Sequence, residues 1–277
     1  MQIIQLQEPT FKSWMFKSGE NQVRLTEKLE NCVCIDYRYS GDSSLFQLAH
    51  AVDCLRRGGV KEISLFCPYF PGARQDRACS IGDSLGAKVY ADFINSLGFV
   101  RVDVLDAHSD VVPALVNNCF NHTNHRIVLD AIRKKDRSMK SYLVSPDAGA
   151  NKKVFTLNDF LRYQGVHLEV IRADKKRNPE NGKIEGTQVF ANDLNGSVCF
   201  IVDDIISGGK TFMSLADELH SIGASGIHLI VSHHEGVASE RELKEHHIDS
   251  LTCTNSLPAS CITDSEFTTI LPITPCL

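Results

Sequence analysis

The sequence predicts an α/β protein of two domains, each a mainly parallel sheet flanked by helices. Three observations carry that expectation. Short apolar runs of strand length alternate with amphipathic segments of helical length, the order a parallel sheet requires. Several of the runs end in polar tips, as strands do at the carboxyl edge where α/β sheets bind ligands. The third observation is the stretch 200–211, Phe-Ile-Val-Asp-Asp-Ile-Ile-Ser-Gly-Gly-Lys-Thr, in which an apolar strand, a pair of acids and a glycine loop lead into a helix.

Taken in order, the first 30 residues are polar and irregular, with Phe11, Trp14 and Phe16 as bulky anchors and a turn at Ser18-Gly19-Glu20. A strand over 31–37 precedes a helix over 43–57, which Asp42 or Ser43 caps and Gly58-Gly59 stops. A strand over 63–67 runs into the loop Pro68-Tyr69-Phe70-Pro71-Gly72-Ala73-Arg74-Gln75-Asp76-Arg77. A helix over 84–97 and a strand over 100–105 follow, ending in the tip Asp106-Ala107-His108-Ser109-Asp110. The chain is polar and basic over 121–140, and the domain boundary is placed there, giving domains of 1–140 and 141–277. In the second domain, a strand over 141–145 leads to Pro146-Asp147-Ala148-Gly149, then a helix to Tyr163 and a strand over 166–173. The run Asp174 to Lys183 reads as a mobile surface loop. Strands over 184–190 and 197–202, a helix over 211–222, a strand over 226–232, a helix over 237–246 and a strand over 250–254 complete the series. The last 20 residues have no helical period.

The 277 residues are 43% hydrophobic, enough for a substantial core, and 29 basic against 34 acidic residues give a net charge of −5. That balance argues against nucleic acid or an anionic membrane as the general partner. Ten cysteines without C-x-x-C spacing, several inside apolar runs, read as reduced buried thiols. No secretory signal and no run of about 18 apolar residues is present, and a cytoplasmic location is expected.

Within 200–211 the ending Gly209-Lys210-Thr211 imitates a nucleoside-triphosphate loop, but the position that needs a glycine holds Asp204, whose charge repels phosphate. The acids suit another task. Backbone N–H groups of Ser207, Gly208 and Gly209 and the N-terminus of the helix opened by Thr211 can hold a sugar phosphate, while Asp203 and Asp204 accept hydrogen bonds from vicinal hydroxyls. This pattern resembles the type I phosphoribosyltransferase fold. An ordinary βα turn with a solvated acid pair is the bland alternative.

Five motifs in order, Pro68–Pro71 with Ala73–Arg77, Asp106–Ser109, Ser145–Gly149, Asp174–Arg177 and Val202–Ile206, resemble the ribose-phosphate pyrophosphokinases over about residues 11–255. The resemblance implies two type I phosphoribosyltransferase-like domains in tandem. It further implies transfer of the β,γ-diphosphate of ATP to the 1-hydroxyl of ribose 5-phosphate, with Mg²⁺. Arg74, Gln75, Asp76 and Arg77 are then ATP-site residues, together with His108 and the adenine-contacting turn Phe16, Ser18 and Glu20. His108 and Asp147 are the metal candidates, Lys175 and Arg177 the catalytic cations. Asp203, Asp204, Ser207, Gly208, Gly209, Lys210 and Thr211 hold the ribose phosphate. Without the resemblance, the Arg74–Arg77 string reads as an ion-paired surface turn and the cation run as a solvated face.

Three departures stand out. Ser18 and Ser207 stand where relatives usually carry acids, and Lys210 adds a cation to the phosphate loop. That extra charge favours an acceptor with a second phosphate, such as ADP-ribose, over ribose 5-phosphate, unless Lys210 points to solvent. After Thr254 the helical tail of similar proteins is missing. The expected assembly is a homo-oligomer, a dimer or higher. Two rivals remain: a non-catalytic regulatory homologue, against which the retained Lys175, Arg177, His108 and Asp147 speak, and a phosphoribosyltransferase acting on a base.

Overall fold

The protein is described by a computed structural model covering residues 1–6, 9–135, 139–177, 184–258, 260 and 262–275, with backbone only at 175–177 and 184–185. The first unit comprises Met1–Thr123, Ser256–Pro258 and the segment from Ile273; the second comprises Asn124–Asn255 and the segment ending at Pro272. Among the described residues no helix is long and apolar enough to cross a membrane.

In the first unit the elements are β1 (Gln2–Gln5), β2 (Phe11–Met15), β3 (Asn21–Leu25), β4 (Cys32–Asp36), α1 (Asp42–Arg57), β5 (Glu62–Phe66), α2 (Gly86–Ser96), β6 (Arg101–Leu105), α3 (Val111–Leu115) and β7 (Cys119–His122). Its five-stranded sheet has the order β1-β4-β5-β6-β7 and every pairing is parallel. Val33, Ile35, Leu65 and Val104 are fully buried, as strands covered on both faces demand. The region before residue 30 is not irregular. β1 pairs with β4 at the sheet edge, and β2 and β3 form an antiparallel hairpin that buries Phe11 and Val23. These strands are short and exposed on one side, so their apolar alternation is too sparse to read.

The second unit contains α4 (His125–Arg133), β8 (Ser141–Ser145), α5 (Asn151–Tyr163), β9 (Glu169–Arg177), β10 (Ile184–Val189), β11 (Val198–Ile206), α6 (Lys210–Ser221), β12 (Gly226–His234), α7 (Glu240–Glu245), β13 (Ser250–Thr254) and β14 (Thr268–Leu271). Its sheet runs β10-β9-β8-β11-β12-β13-β14, parallel except for the β9–β10 hairpin at one edge. The central strand β11 alternates between two cores. Cys199 and Ile201 pack with Leu215 and Leu219 of α6, whereas Phe200 and Val202 pack with Leu157 of α5 and Ile132 of α4.

That second core explains why the units divide before α4 rather than at 140. Val128, Leu129 and Ile132 lie on one helical face inside a stretch whose flanks are basic, and they bury against Leu143 and Phe200. The chain also returns to the first unit near its end, where Arg38 Nη2 donates to the Ile273 carbonyl at 2.9 Å. The Asp174–Lys183 run is strand rather than loop as far as Arg177, because β10 supplies its ladder. Residues 178–183 lie outside the described residues. Cys34, Cys67, Cys199 and Cys253 are buried free thiols. Burial pushes the Cys67, Cys199 and Cys253 thiols up to about 12, which keeps them protonated and unreactive.

Candidate active site

Each unit carries its own set of candidate residues at the carboxyl edge of its sheet. In the first, β5 ends at Phe66 and the loop 67–83 begins; Cys67 N donates to Asp103 O and Leu105 N to Pro68 O, tying the loop to β6. Aromatic packing holds its start. Tyr69 lies 6.1 Å from Tyr39 between ring centres, and Tyr39 meets Tyr90 edge-on at 6.2 Å. Both Tyr39 and Tyr90 donate to Asp42 Oδ1, at 2.7 and 2.6 Å.

Gly72 is required where the loop crosses Tyr90. Its φ is +71° and a Cβ there would lie 2.4 Å from the Tyr90 ring. Gly72→Ala is therefore expected to cost about 1–3 kcal/mol and lower the melting temperature by several degrees in a calorimetric scan.

Beyond Gly72, Gln75 N donates to Gly72 O and Gln75 Nε2 to Arg77 O, closing a tight turn. The Arg77 guanidinium bonds Asp76 Oδ1 at 2.8 Å. It holds the Asp76 carboxyl below the usual range, helped by the Ser109 hydroxyl and by His108, against the burial of the carboxyl. The Arg74–Arg77 loop and the Asp106–Ser109 tip thus meet at Asp76. Ser109 belongs to the Asp106–Ser109 motif but had no expected role of its own; its bond to Asp76 is a tertiary contact that the motif does not reveal. The tip is shaped by Asp106, at φ +45°, whose N–H donates to His122 O at 2.7 Å, and by Asn121 Oδ1, which accepts from Ala107 N.

Phe16, Ser18 and Glu20 lie on the β2–β3 turn. Phe16 N donates to Glu20 O, Gly19 N to Phe16 O, and Ser18 Oγ to a Glu20 carboxylate oxygen at 2.5 Å. Phe16 is exposed and stands edge-on to Trp14. An exposed ring on a rigid turn is a surface on which a flat base can stack.

In the second unit, β8 pairs with β11 only as far as Val144 opposite Ile201, whereas β12 follows β11 to His234 opposite Ile206. The acid pair therefore lies inside a strand rather than beyond its end, with the β8 side of the strand open. Asp203 N–H aside, the pair is internally bonded: Asp204 N donates to Asp203 Oδ1 at 2.9 Å. Burial raises the Asp203 carboxyl well above 3.8; the charge of Asp204, a side-chain hydrogen bond with it and the nearby Asp147 raise it further, against the Asp204 N–H bond, which lowers it. Asp147 reaches this edge from β8, its Oδ1 accepting from Ala150 N at 3.1 Å.

The loop after β11 has the geometry of an anion site. Gly209 adopts φ +73° and precedes α6 without a side-chain cap, which leaves the first-turn N–H groups to a ligand. A Cβ on Gly208 would meet nothing within 4 Å, whereas one on Gly209 would lie 3.2 Å from Ala238 Cβ. Ser207 and Thr211 are half-buried. Lys210 is exposed and lines a cavity of about 640 Å³ along α6, with Ser214, Asp217 and Glu218. Lys175 and Arg177 stand in β9 opposite Thr187 and Ile184; their side chains lie outside the described residues.

The family model for the N-terminal domain of ribose phosphate pyrophosphokinase matches residues 2–98, and that for the phosphoribosyl transferase domain matches residues 143–263. A ribose-phosphate pyrophosphokinase of Hyphomonas neptunium is 30% identical over 246 residues, covering 86% of this chain and 76% of that one. The chain belongs to the ribose-phosphate pyrophosphokinase family. An Aquifex aeolicus member is 31% identical over 249 residues, 88% of this chain and 78% of that one. The phosphoribosylpyrophosphate synthetase of Mycobacterium smegmatis shares the fold, with a TM-score of 0.77 at 24% identity over 95% of this chain and 85% of that one. The family models enclose the Arg74–Arg77 loop in the first match and Asp147 and 203–211 in the second, while His108 falls between them.

The sequence resemblance also implies a divalent ion. Among the described residues no three His, Cys, Asp or Glu groups gather into a metal cage. Mg²⁺ does not need one, since it binds through one or two carboxylates, substrate phosphates and retained waters. The Asp147 carboxylate fits that donor set, and the imidazole of His108 fits it less well.

Proposed function

We propose that the protein transfers the β,γ-diphosphate of ATP to the 1-hydroxyl of ribose 5-phosphate, forming phosphoribosyl pyrophosphate and AMP. The observation that carries this reading is the sequence of features on one strand: the acid pair at the open edge of β11, then the left-handed Gly209 turn and the uncapped start of α6. The turn takes the 5-phosphate and the acids take the ribose diol. In the reaction a bond forms between the sugar O1 and the β-phosphorus while the α–β bridge breaks, its oxygen leaving with AMP and the hydroxyl proton passing to solvent. Arg74 and Arg77 neutralise triphosphate oxygens, and the exposed Phe16 stacks on adenine. Mg²⁺, held through Asp147 with His108 as the second candidate, supplies charge neutralisation on the phosphates. Lys175 and Arg177 stabilise the charge of the transferring group. The reading includes a homo-oligomer, a dimer or higher, in a reducing cytoplasm, in keeping with the buried free thiols.

A second acceptor is favoured by the position of Lys210. The cavity it lines continues along one face of α6 to Asp217 and Glu218, seven and eight residues on, or about 10–12 Å at the helical rise. A second phosphate at Lys210 and a second sugar diol at the two acids match the chemistry of ADP-ribose. Incubating the protein with ATP, Mg²⁺ and each acceptor separately, and following AMP, separates the readings. AMP with ribose 5-phosphate alone supports the first, and AMP with ADP-ribose that Lys210→Ala abolishes supports the second. No AMP with either acceptor overturns both and leaves the non-catalytic homologue.

A further inference from the structure

The phosphate loop is held from behind by the connection between β12 and α7. His234, the last residue of β12, is 4% exposed, and its Nδ1 accepts from Gly236 N at 2.7 Å, so the proton of this neutral ring sits on Nε2. Gly236 follows in the left-handed region at φ +75°. From this small turn two N–H groups reach the loop: Glu235 N donates to Ile206 O at 3.0 Å and Ala238 N to Ser207 O at 2.9 Å. The far end of the connection is pinned by a capping box, in which Ser239 and Glu242 each bond the other's backbone N–H. Ala238, Met213 and Leu243 crowd Gly209 from the same side.

The consequence follows from peptide geometry. In a trans peptide the carbonyl and the next N–H point in opposite directions. Drawing the Ile206 and Ser207 carbonyls toward the connection therefore aims the N–H groups of Ser207 and Gly208 away from it, into the open space over Gly208. We propose that His234 is a positioning residue for the 5-phosphate: its ring acceptor sets the 235–239 turn as a clasp that orients the phosphate-binding amides. The proposal rests on the acceptor reading above but has a readout of its own.

The test compares His234→Phe, which keeps the ring volume without the acceptor, with His234→Asn, whose side-chain oxygen can accept the same i+2 N–H. Ala238→Pro removes the second clasp donor without touching His234. Steady-state kinetics with ribose 5-phosphate and calorimetric titration with inorganic phosphate are the measurements. His234→Phe and Ala238→Pro are expected to raise KM for the acceptor and the Kd for phosphate roughly tenfold, with KM for ATP unchanged, and His234→Asn to stay within about threefold of the parent. Unchanged acceptor KM and phosphate affinity in His234→Phe or Ala238→Pro overturn the clasp. So does an equal rise in both KM values with a lowered melting temperature, which marks a merely structural role. If the parent protein binds phosphate yet releases no AMP, the activity fails while the phosphate titration still decides the clasp.

Discussion

Lys175→Ala with Arg177→Ala is expected to lower the rate of AMP release by about 10³-fold or more and to leave both KM values and the melting temperature nearly unchanged. The argument starts from β9. Its pairing with β10 sets Lys175 opposite Thr187, Lys176 opposite Gly186 and Arg177 opposite Ile184. Residues 175 and 177 are two apart on a strand and share one face, with Lys176 on the other. Diphosphate transfer spreads charge over equatorial oxygens in the transition state. A cation that engages only there contributes to the rate and not to substrate binding, and arginines that stabilise a phosphoryl-transfer transition state are worth about 10³–10⁵. Lys176→Ala is the control, expected to change the rate by no more than about threefold. A double variant with parental turnover would remove the catalytic assignment.

Asp203→Asn has an effect of opposite sign on stability and function. In the native protein Asp203 holds its proton more tightly than an unfolded carboxyl, because burial and the adjacent Asp204 disfavour the charge. The folded state then binds more protons than the unfolded one above about pH 4, and the carboxyl lowers stability as pH rises toward its raised value. Asparagine carries no such penalty. Its melting temperature is expected to match the parent near pH 4 and to exceed it at pH 7, measured by scanning calorimetry. Acceptor KM is expected to rise about 10–100-fold, the loss of the carboxyl's hydrogen bond to the diol. A variant less stable than the parent at pH 7 would show that the carboxylate is a structural anchor instead.

How far these residues were legible beforehand depends on whether the signal is local. Apolar runs long enough for strands, such as 32–36 and 199–202, announce buried parallel strands because burial on both faces removes alternation. The glycine turn before α6 is likewise visible, since Gly209 sits where φ must be positive and phosphate needs bare amides. The spaced motifs led to the family that the comparisons then supported. By contrast, α4 hid within a basic stretch because its narrow apolar face matters only once β8 and α5 are there to cover it. The extension of β11 through Asp203 and Asp204 depends on β12 running beside it, a partner strand that no local pattern names.

By itself, then, the sequence determined the α/β class, most of the buried parallel strands with their helices, and the glycine turn before α6, all of which follow from residue size, charge and backbone freedom over a few positions. Tertiary structure decided the rest. Only the fold turns Ser109 toward Asp76, crowds Asp203 with Asp204 and Asp147, lays Lys210 along the flank of α6 and sets the His234 turn behind Ser207. Ser109 with Asp76, Asp147 with Asp203 and the His234 turn with Ser207 are contacts between segments distant in the chain, where through-space electrostatics and packing act and sequence neighbours carry no trace of them.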